Sequence, residues 1–130
     1  MKKRPVEIMD TTLRDGEQTS GMSFSASEKL TISKLLIEEL KIDRIEVASA
    51  RVSVGEFNAV QNITNWAKSN GYLNKIEILT FLDNGISLEW LLKTGAKVQN
   101  LLTKGSLNHL THQIKKTPKE HFDEINKSIF

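Results

Sequence analysis

A chain of 130 residues, 38% hydrophobic and 26% charged, has the make-up of an ordinary globular domain, which excludes a disordered tail and a membrane protein alike. Its 18 basic and 16 acidic residues are mixed along the chain for a formal charge of +2, so charge gives no support to nucleic-acid binding. There is no cysteine, which removes disulfide and thiolate chemistry and fits a cytoplasmic enzyme. No apolar run approaches the roughly 18 residues of a membrane span.

Lys2-Lys3-Arg4 is a small basic start with no apolar segment after it, and reads as a solvated N-terminus rather than a targeting signal. Residues 5–10 read as a first strand with Val6 and Ile8 on one face. A Ser/Gly-rich loop follows, and then a helix over 25–40, where Ser25 and Glu28 have the spacing of a capping box. Ile32, Leu35, Leu36 and Leu40 form its expected buried stripe, with Lys29, Lys34 and Glu38 off it. Residues 43–48 give a second strand and 56–69 a second helix, with Phe57, Val60, Ile63 and Ala67 facing inward and Asn70-Gly71 as its stop. A β-branched apolar run over 75–82 suits a buried parallel strand. A short helix over 87–94 ends at Gly95, a fourth strand covers 97–103, and a last helix covers 117–129. That helix has Pro118 at its first position and a second capping box in Thr117 and Glu120. Four strand–helix units without a linker predict a parallel sheet with helices packed against it, and one domain with no internal boundary.

The chemistry concentrates in residues 10–20, Asp-Thr-Thr-Leu-Arg-Asp-Gly-Glu-Gln-Thr-Ser, placed where the first strand ends. So many charges packed at a strand end stay unpaired or repel unless a cation and an anionic substrate complete them. Asp15 is a hard oxygen donor suited to a divalent ion. Arg14 presents a planar fork of donors for a carboxylate or a developing enolate oxygen. Glu46 lies mid-strand between Ile45 and Val47 and projects to the opposite face from them. It either enters a confined site beside Arg14 and Asp15 or sits half-exposed, paired with Arg44 or Lys75.

The run from Asp10 to Gln18 resembles the signature of the enolate-forming synthases and lyases, the isopropylmalate synthase, homocitrate synthase and HMG-CoA lyase group. The resemblance covers essentially the whole chain and implies the N-terminal half of a (β/α)8 TIM barrel, since a complete barrel takes roughly 250 residues. It implies a divalent metal (Mn, Mg or Zn) with Asp15 as a ligand, Arg14 polarising the keto or enolate oxygen, Gln18 lining the substrate pocket, and Glu46 serving the acid–base step. It also implies acetyl-CoA and a 2-oxo acid as substrates. The first choice is 2-oxoisovalerate, giving 2-isopropylmalate in leucine biosynthesis; homocitrate or citramalate synthesis and carbon–carbon lysis are rivals. A non-catalytic half barrel is the remaining alternative. The family's His-x-His metal pair has no counterpart here, so the metal site is expected to be incomplete. Gln99 and Asn108 stand where histidines are commoner, which marks a divergent branch.

His109 and His112 have helical spacing but are flanked by Ile114-Lys115-Lys116, and the segment after the fourth strand reads as a solvated loop rather than a metal site. Half a barrel leaves the edges of strands one and four open, so self-association into a homo-oligomer is expected, and the chain alone is expected to be inactive.

Overall fold

The computed structural model describes residues 5–129, so the basic Lys2-Lys3-Arg4 start lies outside the described residues. Four strands form one all-parallel sheet in the order β1-β2-β3-β4: β1 Met9–Asp10, β2 Arg44–Ser49, β3 Ile76–Phe81 and β4 Val98–Leu102. Between and after them come α1 Ala26–Lys34, α2 Val54–Ser69, α3 Ile86–Lys93, the short α4 Leu107–His109 and α5 Pro118–Ile129. This is the strand–helix alternation of the first half of a (β/α)8 barrel. Among the described residues no helix is long and apolar enough to cross a membrane.

The sheet carries a different chemistry on each face. Ile45, Val47, Ile76 and Ile78 form one core with Val60, Ile63, Ala67 and Leu91 from the helices. The other face, set by the cross-strand register, carries Glu46 beside Glu77, and Leu79 beside Asn100. A bulge between Glu46 and Ala48 shifts the β2–β3 register at the level of the glutamate. All four residues from Ile45 to Ala48 are buried, so β2 is covered on both faces, as parallel strands usually are.

Both capping boxes form. The Ser25 hydroxyl accepts from the Glu28 amide while the Glu28 carboxylate accepts from the Ser25 amide, and Thr117 and Glu120 repeat the exchange. Helix α2 starts two residues earlier than its apolar stripe indicates, because Ser53 caps it by accepting from the Glu56 amide. Its stripe is as read, with Val60, Ile63 and Ala67 fully buried and Phe57 edge-on to Trp90.

Three expectations need correction. Only Met9 and Asp10 of the first strand join the ladder, and Val6 and Ile8 are 88% and 58% exposed. Ile8 is fastened to the start of β2, its amide to the Asp43 carboxylate and its carbonyl to the amides of Asp43 and Arg44, but among the described residues no element covers its side chain or that of Val6. Helix α1 passes into a π turn over Leu35–Glu39, in which the Leu40 amide reaches back to the Leu35 carbonyl. That wider turn rotates the helix surface, so Leu36 and Ile37 are buried whereas Leu35 and Leu40 face out. The segment after β4 is helical rather than a loop, since α4 runs into a π turn over Leu110–Ile114 that buries Leu110.

Candidate active site

Asp10, the last residue of β1, accepts from both the amide and the hydroxyl of Thr12, which turns the chain sharply at the strand end. The Thr11 carbonyl then collects the amides of Arg14, Asp15 and Gly16, winding one helical turn whose buried anchor is Leu13. A 3-10 turn over Gly16–Gln18 completes the loop. Arg14 and Asp15 thus sit at the carboxyl end of β1, where barrels of this type place their chemistry.

The Arg14 side chain bridges two carboxylates. Its Nε donates to Glu46 Oε2 at 2.5 Å and one Nη to Asp15 Oδ1 at 2.8 Å. The Glu46 side chain is wholly buried, and its second oxygen accepts from Asn100 Nδ2 on β4 at 2.5 Å. Of the two placements open to Glu46, the structure has the confined one beside Arg14; Arg44 pairs instead with Glu77 and Glu7, and Lys75 donates to the Ile42 carbonyl. Asp15 remains 61% exposed at the side chain, with one oxygen uncommitted among the described residues. Gln18 is exposed and lines a cleft of about 250 Å³ together with Arg14, Glu17, Ser49, Val52 and Glu56.

Beside the loop, Lys29 is 1% exposed, donates to Glu56 Oε1 and the Leu13 carbonyl, and is ion-paired with Glu17 Oε2. Burial pushes the Glu56 carboxyl up from its ordinary value, and the Lys29 ammonium offsets only part of that. Around the cleft stand two cations, Arg14 and Lys29, and four carboxylates, Asp15, Glu17, Glu46 and Glu56. That excess of negative charge, with one exposed hard oxygen donor at its edge, fits a divalent cation. Among the described residues no group of three or more His, Cys, Asp or Glu side chains could hold a metal by itself, so Asp15 fits as one ligand rather than as a site.

The remaining sequence candidates lie elsewhere. Gln99 donates to the Thr80 hydroxyl, and it is the next residue, Asn100, that reaches Glu46. Asn108 and His112 are exposed, and His109 is only partly covered. His121 is buried in α5 with its Nε2 shared between the Thr103 hydroxyl and the Lys104 carbonyl. Asn100, Lys29 and Glu56 were not apparent as site residues. The one local signal for Asn100 is a residue type depleted in strands standing mid-strand. For Lys29 it is a cation in the first turn of a helix, where the dipole disfavours it.

The HMGL-like family profile matches residues 5–130. The chain belongs to the HMGL-like family. Among curated relatives, the 2-isopropylmalate synthase of Oceanobacillus iheyensis is 33% identical over 95% of this chain and 26% of its own length. The 2-isopropylmalate synthase of Geobacillus kaustophilus is 33% identical over 97% of the chain and 24% of its own length. The (R)-citramalate synthase of Methanocaldococcus jannaschii is 32% identical over 95% and 24% respectively. This HMGL-like chain therefore spans about a quarter of the length of the curated relatives it matches.

Proposed function

We propose that the protein carrying this chain is an acyltransferase that condenses acetyl-CoA with a 2-oxo acid, with 2-oxoisovalerate and 2-isopropylmalate as the leading substrate and product. Residues 1–130 are the N-terminal part of its one catalytic barrel domain. The observation that carries this reading is the Arg14 guanidinium at the strand mouth, oriented from one side by buried Glu46 and joined on the other to exposed Asp15.

In the reaction, the acetyl methyl group loses a proton, its carbon attacks the keto carbon of the oxo acid, and water cleaves the thioester to release the CoA thiol. Arg14 faces the oxygen on which charge grows as the carbon–carbon bond forms, and a preoriented donor there lowers the barrier. Glu46 holds the Nε edge of the guanidinium so that the Nη edge is presented to the cleft, and it is the carboxylate beside Arg14 that would serve the acid–base step. Gln18 lines the substrate pocket. Asp15 would hold a Mn, Mg or Zn ion, which when bound supplies a Lewis acid for the oxo acid's carbonyl oxygen. The setting is a cytoplasmic biosynthetic one, with no nucleic-acid or membrane partner.

The deciding assay is thiol release by the full-length gene product with acetyl-CoA, a divalent metal and a panel of 2-oxo acids. Release with 2-oxoisovalerate supports the leading reading. Release with pyruvate alone moves the function to citramalate formation, the second reading, which the (R)-citramalate synthase relative favours. No release with any oxo acid overturns the assignment.

Phe81 and Leu102 at the strand mouth and Phe122 on α5 are 38%, 44% and 63% exposed, and β1 and β4 are the sheet edges. In residues 1–130 alone, self-association into a homo-oligomer would cover them. Residues 1–130 expressed alone are expected to sediment as a species larger than a monomer and to release no thiol; an active monomer would refute both points.

A further inference from the structure

Lys29 has no place in the chemistry just described, yet it is the most deeply buried lysine among the described residues. Its ammonium donates to Glu56 Oε1 at 2.5 Å and to the Leu13 carbonyl at 3.2 Å, and forms an ion pair with Glu17 Oε2 at 2.6 Å. These partners come from different segments. Leu13 and Glu17 belong to the loop after β1, Lys29 to α1, and Glu56 to the first turn of α2, whose backbone is itself fixed by Ser53. The second Glu17 oxygen accepts from the Phe24 amide, which ties the far end of the loop to the same cluster.

Stability alone is a poor reason for such a cluster. Three charges taken out of water cost about as much as their attraction returns, and an apolar group of similar volume often serves as well. What the cluster supplies is location. The Leu13 carbonyl belongs to the peptide whose nitrogen is that of Arg14, and Glu17 lies three residues beyond Arg14. One ammonium therefore grips the loop on both sides of Arg14 and Asp15. Its two carboxylate partners, Glu17 and Glu56, line the same cleft as Arg14 and Gln18.

We propose that Lys29, with Glu17 and Glu56, is a positioning cluster that holds the loop from Leu13 to Gln18 so that Arg14 meets Glu46 in a single geometry. The clamp is a matter of structure; its effect on turnover rests on the function proposed above for Arg14 and Asp15.

The test uses the full-length gene product labelled with ¹⁵N-arginine, in which the Arg14 Nε–H signal is assigned by its loss in Arg14→Lys. Lys29→Met removes the clamp but leaves two carboxylates facing each other, so the charge-balanced variant Lys29→Met/Glu17→Gln/Glu56→Gln is made alongside it. In the balanced variant, Arg14 Nε–H exchange with solvent should quicken by at least about tenfold, with the thermal midpoint little changed, because the group is no longer held against Glu46. Turnover should fall by about tenfold to a hundredfold with a smaller change in KM, as misplacement of a reacting group predicts. An Arg14 Nε–H signal and exchange rate unchanged in the balanced variant overturns the proposal. So does loss of the folded state in both variants, since the cluster is then a folding element. If the wild-type protein releases no thiol, the functional reading fails, while the Arg14 signal still decides the clamp.

Discussion

Glu46 and Glu77 are neighbours across β2 and β3 and point to the same face of the sheet, yet the two carboxylates are held in unlike ways. Glu77 is compensated by Arg44, a side chain 43% exposed and shared with exposed Glu7, at the amino end of the strands. Glu46 is compensated from the carboxyl end by Arg14, 20% exposed, and by Asn100 from two strands away. Two like charges side by side in a covered sheet need a separate cation each, and the fold brings the two arginines from opposite ends. The Arg44 pair buries its Glu77 carboxylate too, but its guanidinium is 43% exposed at the edge of the molecule and shared with exposed Glu7. The Arg14 pair is dry on the carboxylate side and open on the guanidinium side, where Asp15 and the cleft lie. That asymmetry separates an arginine that closes a surface from one that presents a charge to a ligand.

The comparison breaks most sharply at Arg14. Arg14→Lys keeps the charge but loses the fork, and thiol release should fall by roughly 10²-fold or more if this donor acts on the transition state. A variant that loses thermal stability in step with activity would make Arg14 the equal of Arg44. Asp15→Asn should weaken metal binding and lower turnover by at least about tenfold, read by metal titration and by the same assay. Near-normal values for both would remove Asp15 from the site. At the other end, Arg44→Ala leaves buried Glu77 without its cation and should cost about 3 kcal/mol of stability in a denaturant melt while leaving turnover per folded molecule alone. A loss of turnover matching that of the Arg14 variant would erase the distinction between the two ends.

The smallest effect concerns acid. Burial works to raise the Asp83 carboxyl, but the Ser87 hydroxyl and amide and the Arg51 guanidinium outweigh it and hold it below its ordinary value. A carboxyl lowered on folding contributes stability above its unfolded pKa of about 4, and that contribution is lost as pH falls through the lower folded value. Asp83→Asn should therefore be less stable than wild type at neutral pH by about 0.5–1 kcal/mol, with the gap closing below about pH 4. A gap of constant size down to pH 2 would show that the carboxylate's charge is not what Ser87 and Arg51 hold.

The same contrast explains what the sequence could convey. Local chemistry was legible: the Ser25–Glu28 and Thr117–Glu120 caps, the α2 stripe and the strand–helix alternation all depend on residues within a turn of each other. The motif placed Arg14 and Asp15 correctly at a strand end. Partners far apart in the chain were not legible. Lys29 has the spacing of a solvent-facing lysine and is buried only because Glu17 and Glu56 converge on it from other elements. Asn100 meets Glu46 across 54 residues, a pairing that no periodicity announces. Ser53 caps α2 a full turn ahead of Phe57, where the apolar stripe begins, so the stripe alone does not mark the helix start.

The π turn over Leu35–Glu39 has a consequence for comparing lengths within the family. A wide turn of this kind behaves as a single extra residue lodged in an α-helix. Deleting exposed Glu39 would let the ring close at ordinary α spacing, with the Ser25 cap and the start of β2 still in place. The interval from Lys29 to Glu46 is thus elastic in residue count, although both ends are pinned in space. An insertion or deletion confined to this one turn would change the spacing between the motif and Glu46 while leaving the cleft untouched.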